Sequence, residues 1–362
     1  MREFRYQDKK PPAFSLRISG NSSSFSILFI LLFTVSLGSA LTFICDKTGR
    51  EIEVIYLSQI TTAFNQKKEI RPITMVFVGD IMLDRGVELK VKKQGEGDWR
   101  FPFLKIGELL KSVDLAVGNL EGPISNKGIR VGGIYSFRMD PAVIDGLQSA
   151  GFDILSLANN HILDYGQLAM EDTFSRLKET GIDYVGAGFN KDEAYSPIIK
   201  EVGKTKIAFL AFTNLGPSGW TAGEKSPGIA WLEKEKLEEA IKKAKEQADI
   251  IVVSFHFGDE YQSSSNSSQQ FFAHLAIDSG ADLVIGHHPH VVQEVEKYQK
   301  GYIAYSLGNF VFDQRFSEKT MTALLIKIII RGGKIDELVP IKVKINDYFQ
   351  PEILPPVENN AP

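Results

Sequence analysis

Between Thr74 and Phe312 the chain alternates short apolar runs with amphipathic stretches of helical length. The apolar runs are Thr74–Val78, Leu115–Val117, Ile154–Ala158, Ile250–Ser254, Leu283–Ile285 and Tyr302–Ser306. Short, nearly continuous apolar segments closed by Gly, Asn or Asp read as strands buried on both faces. Leu104–Val113, Pro141–Ala150, Gln167–Thr180, Leu232–Gln247 and Gln269–Ser279 predict helices. Asp140-Pro141 places a capping carboxylate before a proline at the first helical position. Alternating strands and helices predict α/β layering. After Thr320 the pattern changes. Met321–Ile330 and Glu337–Ile345 read as two strands joined by the turn Arg331-Gly332-Gly333-Lys334, an antiparallel finish to a sheet.

Each apolar run stops at a polar group. The six stops are Gly79-Asp80, Gly118-Asn119-Leu120-Glu121, Asn159-Asn160-His161, His256 with Asp259-Glu260-Tyr261, Gly286-His287-His288-Pro289-His290 and Leu307-Gly308-Asn309. In open α/β sheets, ligands sit beyond the carboxyl ends of the strands. One Gly-Asp after a strand is ordinarily a turn, and one histidine is ordinarily a satisfied core residue. The joint pattern is different, because carboxylates, amides and imidazoles recur at successive strand ends. Of six histidines in the chain, three fall between residues 287 and 290. Together these groups predict a metal site. His274 is the exception; it lies in a helical stretch with Phe271, Phe272, Leu275 and Ile277 and reads as structural. The donors are oxygen and imidazole nitrogen without sulfur, which suits one or two divalent ions, Mn, Fe or Zn ahead of Mg. A carboxylate such as Glu121 can bridge two ions about 3.5–4 Å apart, which clamp the oxygens of a phosphoryl centre. His161 is placed to protonate a leaving alkoxide.

Residues 1–24 are polar and carry Arg2, Arg5, Lys9, Lys10 and Arg17. Residues 25–45 have no charge and no polar face, and are long enough to span a bilayer as a transmembrane helix. The preceding basic residues predict a cytoplasmic N-terminus and an extracytoplasmic remainder, single-pass in the cell membrane. Gly38-Ser39-Ala40 offers a second reading, a cleaved signal peptide and a secreted protein. Leu41–Ile44 extend the run to spanning length and favour the anchor. Thr42, Phe43 and Ile44 are too bulky for a lipoprotein signal before Cys45. A stalk over 46–73, one domain over 74–345 and a Pro/Asn-rich tail over 346–362 complete the organisation.

Composition narrows the classes. Hydrophobic residues make up 43% of the 362 and charged residues 24%, as in a globular protein. The net charge of −4 argues against a nucleic-acid partner. A single cysteine excludes an intrachain disulfide and a cysteine-based zinc site.

At the strand ends the sequence resembles the CapA family of bacterial poly-γ-glutamate capsule synthesis proteins, whose members look like calcineurin-type metallophosphoesterases. The resemblance rests on Gly79-Asp80-Ile81-Met82-Leu83, Asn119-Leu120-Glu121-Gly122-Pro123 and Ala158-Asn159-Asn160-His161 with Asp164 and Gly166. It continues through His256-Phe257-Gly258-Asp259-Glu260-Tyr261, His288-Pro289-His290-Val291 with Gln293, and Tyr305-Ser306-Leu307-Gly308-Asn309-Phe310. It covers residues 74 to about 315 in order and implies a four-layer αββα metallophosphatase-like sandwich. By position it implies Asp80, Glu121, Asn160, His256, His288 and His290 as metal ligands and His161 as the catalytic histidine, with His287 an extra residue beside or behind them. Calcineurin-type enzymes usually carry His two residues after the first Asp; here that residue is Met82. The second motif offers Glu121 rather than Asp, and Phe257 stands where the family more often has Trp. The position supplied by Asp80, Glu121 and His290 is therefore the weaker one; that of Glu121, Asn160, His256 and His288 is complete. Arg85, Arg138, Glu260, Tyr261 and Asn309 read either as substrate contacts or as ion pairs and loop packing, with Glu260 equally a further ligand. The resemblance implies a membrane-anchored protein serving synthesis, export or release of a poly-γ-glutamate-like polymer, beside synthase subunits. Its alternatives are a non-catalytic scaffold that binds metal or the acidic polymer, and a stand-alone metal-dependent phosphodiesterase.

Overall fold

A computed structural model describes residues 71–131 and 133–354. The basic segment 1–24, the apolar run 25–45, all but the end of the stalk 46–73 and the end of the C-terminal tail lie outside the described residues. Among the described residues no helix is long and apolar enough to cross a membrane.

The strands in chain order begin with β1 (Ile73–Ile81), β2 (Leu115–Leu120), β3 (Ile154–Ser156), β4 (Asp183–Val185), β5 (Ala187–Gly188), β6 (Ile198–Val202), β7 (Thr205–Thr213) and β8 (Gly228–Ile229). They continue with β9 (Ile250–His256), β10 (Leu283–His287), β11 (Val295–Tyr298), β12 (Gly301–Ala304), β13 (Asn309–Val311), β14 (Thr322–Arg331), β15 (Lys334–Ile345) and β16 (Pro351–Ile353). The helices are α1 (Arg85–Gln94), α2 (Gly107–Lys111), α3 (Val143–Ala150), α4 (Gly166–Thr180), α5 (Lys191–Tyr195), α6 (Lys234–Lys245) and α7 (Ser267–Ser279).

Two sheets carry the site. The first runs β16-β15-β14-β1-β2-β3-β4, with β13 also pairing β1; the second runs β11-β12-β10-β9-β7-β6. β1 to β4 are mutually parallel, as are β7, β9, β10 and β12. Period-two alternation explains the layering. On β1, Met75 and Phe77 join one core with Ile207 and Phe209 of β7, Ile250 and Val252 of β9, and Leu283 and Ile285 of β10. The alternate residues Val76 and Val78 pack instead with Val87 and Val91 of α1, Leu147 of α3 and Phe174 of α4. On the second sheet Leu210, Val253 and Val284 face Leu237 and Ile241 of α6 and Ala276 of α7. Helices thus cover the outer face of each sheet, and the two inner faces share a core. Strands buried on both sides explain why these runs are apolar throughout.

The hairpin at the end is as the pattern predicts. β14 and β15 pair antiparallel from Thr322↔Lys344 to Arg331↔Lys334, and Gly332 and Gly333 both adopt positive φ, 59° and 74°, as a two-residue turn of primed type requires. The helix after Asp140 starts later than expected. Asp140 accepts from the Ala142 amide at 2.8 Å, but Pro141 and Ala142 form a turn and α3 begins at Val143. Leu104–Val113 shortens to the five-residue α2. α1 and α5 leave little mark in the sequence: both are short and highly charged, so the apolar stripe is thin.

Candidate metal centre

The strand ends belong to two sheets whose carboxyl edges meet, not to one. β1, β2 and the loop after β3 bring Asp80, Glu121, Asn160 and His161. β9 and β10 bring His256, His287, His288 and His290. The predicted strand Tyr302–Ser306 ends at Ala304; the chain then leaves the second sheet, and β13 pairs with β1, opposing Asp80 to Asn309. The crossing is tight. A Cβ on Gly79 would lie 1.9 Å from the Gly308 carbonyl oxygen, and one on Gly286 would lie 1.9 Å from that of Tyr305. These glycines let backbone touch backbone beneath the site.

Asn119 is the hub of the buried network. Its amide nitrogen donates to Asp80 Oδ1 at 2.8 Å and reaches Glu121 Oε2 at 3.4 Å and His256 Nδ1 at 3.3 Å. Its oxygen accepts from Asn159, whose amide also donates to the Leu120 carbonyl at 2.8 Å. Asn159 Oδ1 accepts from the backbone of His161 and Ile162 and so fixes the loop that presents Asn160 and His161. His256 Nε2 lies 2.8 Å from Asn160 Oδ1. His290 Nδ1 is 3.3 Å from Asp80 Oδ2, its Nε2 is 3.6 Å from Glu121 Oε1, and its Nδ1 is also 3.0 Å from Asn309 Oδ1. His161 Nδ1 meets Asp164 Oδ2 at 2.8 Å, and its Nε2 faces Glu121 Oε1 at 3.8 Å. Phe137 packs on the His161 ring at 4.2 Å, and its backbone N–H also donates to Asp164 Oδ2.

Among the described residues, two groups of donors are close enough to share an ion: Asp80, Glu121 and His290, and Glu260, His288 and His290. The first is the expected trio. The second takes up the reading of Glu260 as a further ligand but differs from the expected set of Glu121, Asn160, His256 and His288: it holds neither Glu121 nor His256, and His256 instead faces Asn160 and Asn119. Met82 offers nothing to either group. It is fully buried against Phe137 and Phe312, and the Asp84 backbone N–H points at its sulfur at 3.2 Å.

The electrostatics of the cluster oppose one another. Burial pushes the Glu121 carboxyl well above its ordinary value; His290 opposes this, while the charges of Asp80, Glu260 and Asp164 add to it. Burial would raise Asp80 too, but contacts with His287 and His290 hold it well below the usual carboxylate range. Burial, then the neighbouring His288, pushes His256 well down, and burial with His290 pushes His288 down to about 3. His290 moves the other way: against its burial, Glu121 and Asp80 raise it to about 9. His256 and His288 are therefore neutral imidazoles; His256 faces the Asn119 amide with Nδ1 and the Asn160 oxygen with Nε2, and His288 keeps an unpartnered Nδ1. Glu121 Oε1 and His288 Nδ1 are buried with no hydrogen-bond partner, which a native core rarely tolerates. Unmet acceptors of oxygen and imidazole type, converging from two sheets, fit a divalent cation.

The proposed contact residues fall in different places. Arg85 pairs with Asp313 and lies over the Phe137 ring at 4.6 Å, at the edge of the site. Arg138 lies over Tyr165 at 4.2 Å, and its backbone N–H donates to Asp84. Tyr261 is 40% exposed, with its ring 6.1 Å from that of His290. Asn309 is fully buried and ties His290 to the Thr320 carbonyl. His274 bonds Glu296 and stacks on Tyr298, as a structural residue would. Sequence pattern alone gives Asn119, Asn159 and Asp164 no separate site role. The signal was present, since all three lie in the strand-end motifs.

The family described as bacterial capsule synthesis protein PGA_cap matches residues 74–314. The capsule biosynthesis protein CapA of Bacillus anthracis is 34% identical over 293 residues, covering 76% of this chain and 69% of that protein. The PGA biosynthesis protein CapA of Bacillus subtilis (strain 168) is 34% identical over 296 residues, covering 77% of this chain and 76% of that protein. Among solved structures, a calcineurin-like phosphoesterase from Bacillus subtilis aligns with a TM-score of 0.41 at 15% identity, covering 75% of this chain and 90% of that one. The strand-end motifs, the buried donor cluster and the two CapA relatives agree: the chain belongs to the bacterial capsule synthesis protein family.

Proposed function

We propose that this protein is an extracytoplasmic, membrane-anchored hydrolase of CapA type that acts in the synthesis, export or release of a poly-γ-glutamate-like polymer. The uncharged run at 25–45 behind a basic segment supports the anchor. Asp80, Glu121, Asn160, His256, His288 and His290 would hold the divalent metal, with Glu260 beside them. When bound, the metal supplies Lewis acidity and a water that ionises near neutral pH.

The observation that carries the catalytic reading is the His161–Asp164 pair at the edge of the donor cluster. Asp164 accepts at Nδ1, so the ring presents Nε2 toward Glu121. In that orientation the doubly protonated ring, its charge balanced by the Asp164 carboxylate, would pass its Nε2 proton to the oxygen leaving a phosphoryl, ester or amide centre and stay neutral with its Nδ1–H on Asp164. Phe137 on the ring face keeps water from that side. Arg85 and Tyr261 stand at the rim, where an anionic substrate would meet them.

The test is metal-dependent hydrolysis of model phosphodiesters and of γ-linked glutamyl peptides by wild-type, His161→Ala and His288→Ala proteins. Loss in both variants, with His161→Ala still binding metal, is the expected result. Full activity in both refutes the catalytic reading. Met82, whose sulfur faces the Asp84 amide and adds no donor to the cluster, favours a second reading: a scaffold that binds the polymer and cleaves nothing. Chelator-sensitive binding of an acidic peptide without any hydrolysis would identify it.

A further inference from the structure

Asp80 has its two carboxylate oxygens sorted. Oδ2 receives the His288 backbone N–H at 3.3 Å and faces His290 at 3.3 Å. Oδ1 receives Asn119 at 2.8 Å and lies 3.3 Å from His287 Nδ1. His287 is thus on the other side of the carboxylate from His290. Its position follows from the strand. Leu283, Ile285 and His287 alternate onto the inner face of β10, so the imidazole comes up from the shared core beneath Asp80.

His287 has no evident structural employment there. It is 2% exposed, and its Nδ1 makes no hydrogen bond of good geometry to any protein atom. Below it lies a small internal cavity walled by Phe77, Val117, Phe209 and Val252, with the hydroxyls of Ser156 and Ser254. The Ser254 hydroxyl is itself without a partner, so it does not engage His287 Nδ1. An imidazole nitrogen buried in such surroundings is costly unless it bonds, and Asp80 Oδ1 is the acceptor in reach. Met82, two residues after Asp80, gives the carboxylate no help, because its sulfur faces the Asp84 amide.

We infer that His287 is the positioning residue of Asp80: a small turn of the ring aligns its Nδ1 proton, 3.3 Å away, with Oδ1 from the core side and so aims Oδ2 at the His290 side of the site. This rests on the metal-site reading above. Groups that orient a metal ligand in this way typically change metal affinity by about 10–100-fold when removed. The effect falls chiefly on the position that uses Asp80, since the group of Glu260 and His288 shares only His290 with it.

The experiment is Mn(II) titration followed by electron paramagnetic resonance on the full-length protein, with His287→Leu and His287→Asn. Asn places its amide nitrogen where imidazole Nδ1 stood, so it keeps the donor; Leu keeps the bulk only. The expected result is two classes of Mn(II) in wild type. Leu should weaken one class by about 10–100-fold, and Asn should restore that class to within a few-fold. Unchanged binding in a folded Leu variant overturns the inference, as does an Asn variant as weak as Leu. A second measurement needs no metal. The ¹⁵N shifts of His287 in chelator-treated wild type should report the Nδ1–H tautomer; the Nε2–H tautomer overturns the inference, whether or not the Leu variant folds. Wild type that takes up no Mn(II) refutes the metal reading instead, and the tautomer then decides the His287–Asp80 link on its own.

Discussion

Replacing Asn119 by Leu removes the hub of the donor network at nearly constant volume. Asn119 is fully buried, and its amide donates to an ionised carboxylate, Asp80, at 2.8 Å. A hydrogen bond to a charged group contributes about 1.5–3 kcal/mol. The contacts to Glu121 and His256, at 3.4 and 3.3 Å, are longer and add less. Asn159 loses one acceptor but keeps the Leu120 carbonyl, so no donor is orphaned there. Burial of the leucine side chain returns part of the loss, and a net destabilisation of about 2 kcal/mol remains. For a domain of this size each kcal/mol moves Tm by about 2–4 °C, so the expected drop is about 4–8 °C. The assay is a thermal melt by circular dichroism on chelator-treated protein, which isolates the network from metal. Asn119→Asp sharpens the comparison. It sets a third carboxylate beside Asp80 and Glu121 and should melt lower still without metal, then recover more than the Leu variant when Mn(II) is added. A chelator-treated Asn119→Leu protein melting within about 1 °C of wild type would refute the hub role, since no bond of that class would then be lost.

Three further outcomes follow from the same geometry. Asp164→Asn keeps the bulk beside His161 but no longer enforces Nδ1–H; hydrolysis should fall by about 10²-fold or more while bound metal, measured by mass spectrometry, stays at the wild-type level. Gly286→Ala drives a methyl to 1.9 Å from the Tyr305 carbonyl and should destabilise by about 3 kcal/mol or more in a denaturant titration, whereas Gly333→Asn in the exposed hairpin turn should change stability little. His290, raised to about 9, carries a proton at pH 7 in the metal-free protein. Being raised above its ordinary value, it contributes stability that is complete below about 6.5 and fades as pH climbs through about 9. Metal must displace that proton, so apparent affinity should rise between those limits, and calorimetry in two buffers of different ionisation enthalpy should detect proton release on binding at pH 7.

The fold class and the position of the site were legible because a strand buried on both faces leaves an apolar run, and each run ends where chemistry begins. Asp80, Glu121, His256 and the His287–His290 segment could be placed at strand ends from spacing alone. Their division between two sheets could not, because parallel strands read alike wherever they lie. Nor could the crossing at Gly308-Asn309, where the chain passes from β12 in one sheet to β13 in the other within a few residues. The short charged helices α1 and α5 escaped because their stability comes from docking rather than from a strong apolar stripe. Asn266 and Gln269 form a reciprocal capping box that starts α7 two residues before the apolar pattern does. Asn309 reads in sequence either as a substrate contact or as packing, and it lies fully buried against His290. Only tertiary contact distinguishes an amide facing substrate from one holding an imidazole.

The backbone and donors of the centre point together to a cation. The loop after β10 holds His288 at φ 96° and His290 at φ 58°, on either side of Pro289. Left-handed backbone at such residues costs about 1–3 kcal/mol each and persists where the surroundings enforce it. Here that strain brings both imidazoles to Glu260, and His290 also to Asp80 and Glu121. Glu121 Oε1 and His288 Nδ1 are then buried without partners, each at a cost of about 1–3 kcal/mol. His290 is driven to hold a proton while His288 a few ångströms away is driven to refuse one. A cation among these groups would relieve all three: it accepts the lone pairs, neutralises Glu121 without a proton and gives the strained loop a use. Saturating ion at a hundredfold excess over Kd stabilises by about 2.7 kcal/mol. Melts of the full-length protein against Mn(II), Zn(II) and Mg(II) should therefore show Tm rising with Mn(II) or Zn(II) and much less with Mg(II), which prefers oxygen ligands. His288→Leu, which removes one unpartnered nitrogen, should melt no lower than wild type in chelator yet lose most of that rise. A wild-type Tm indifferent to all three ions would mean that the strain and the unpaired groups serve something other than a metal.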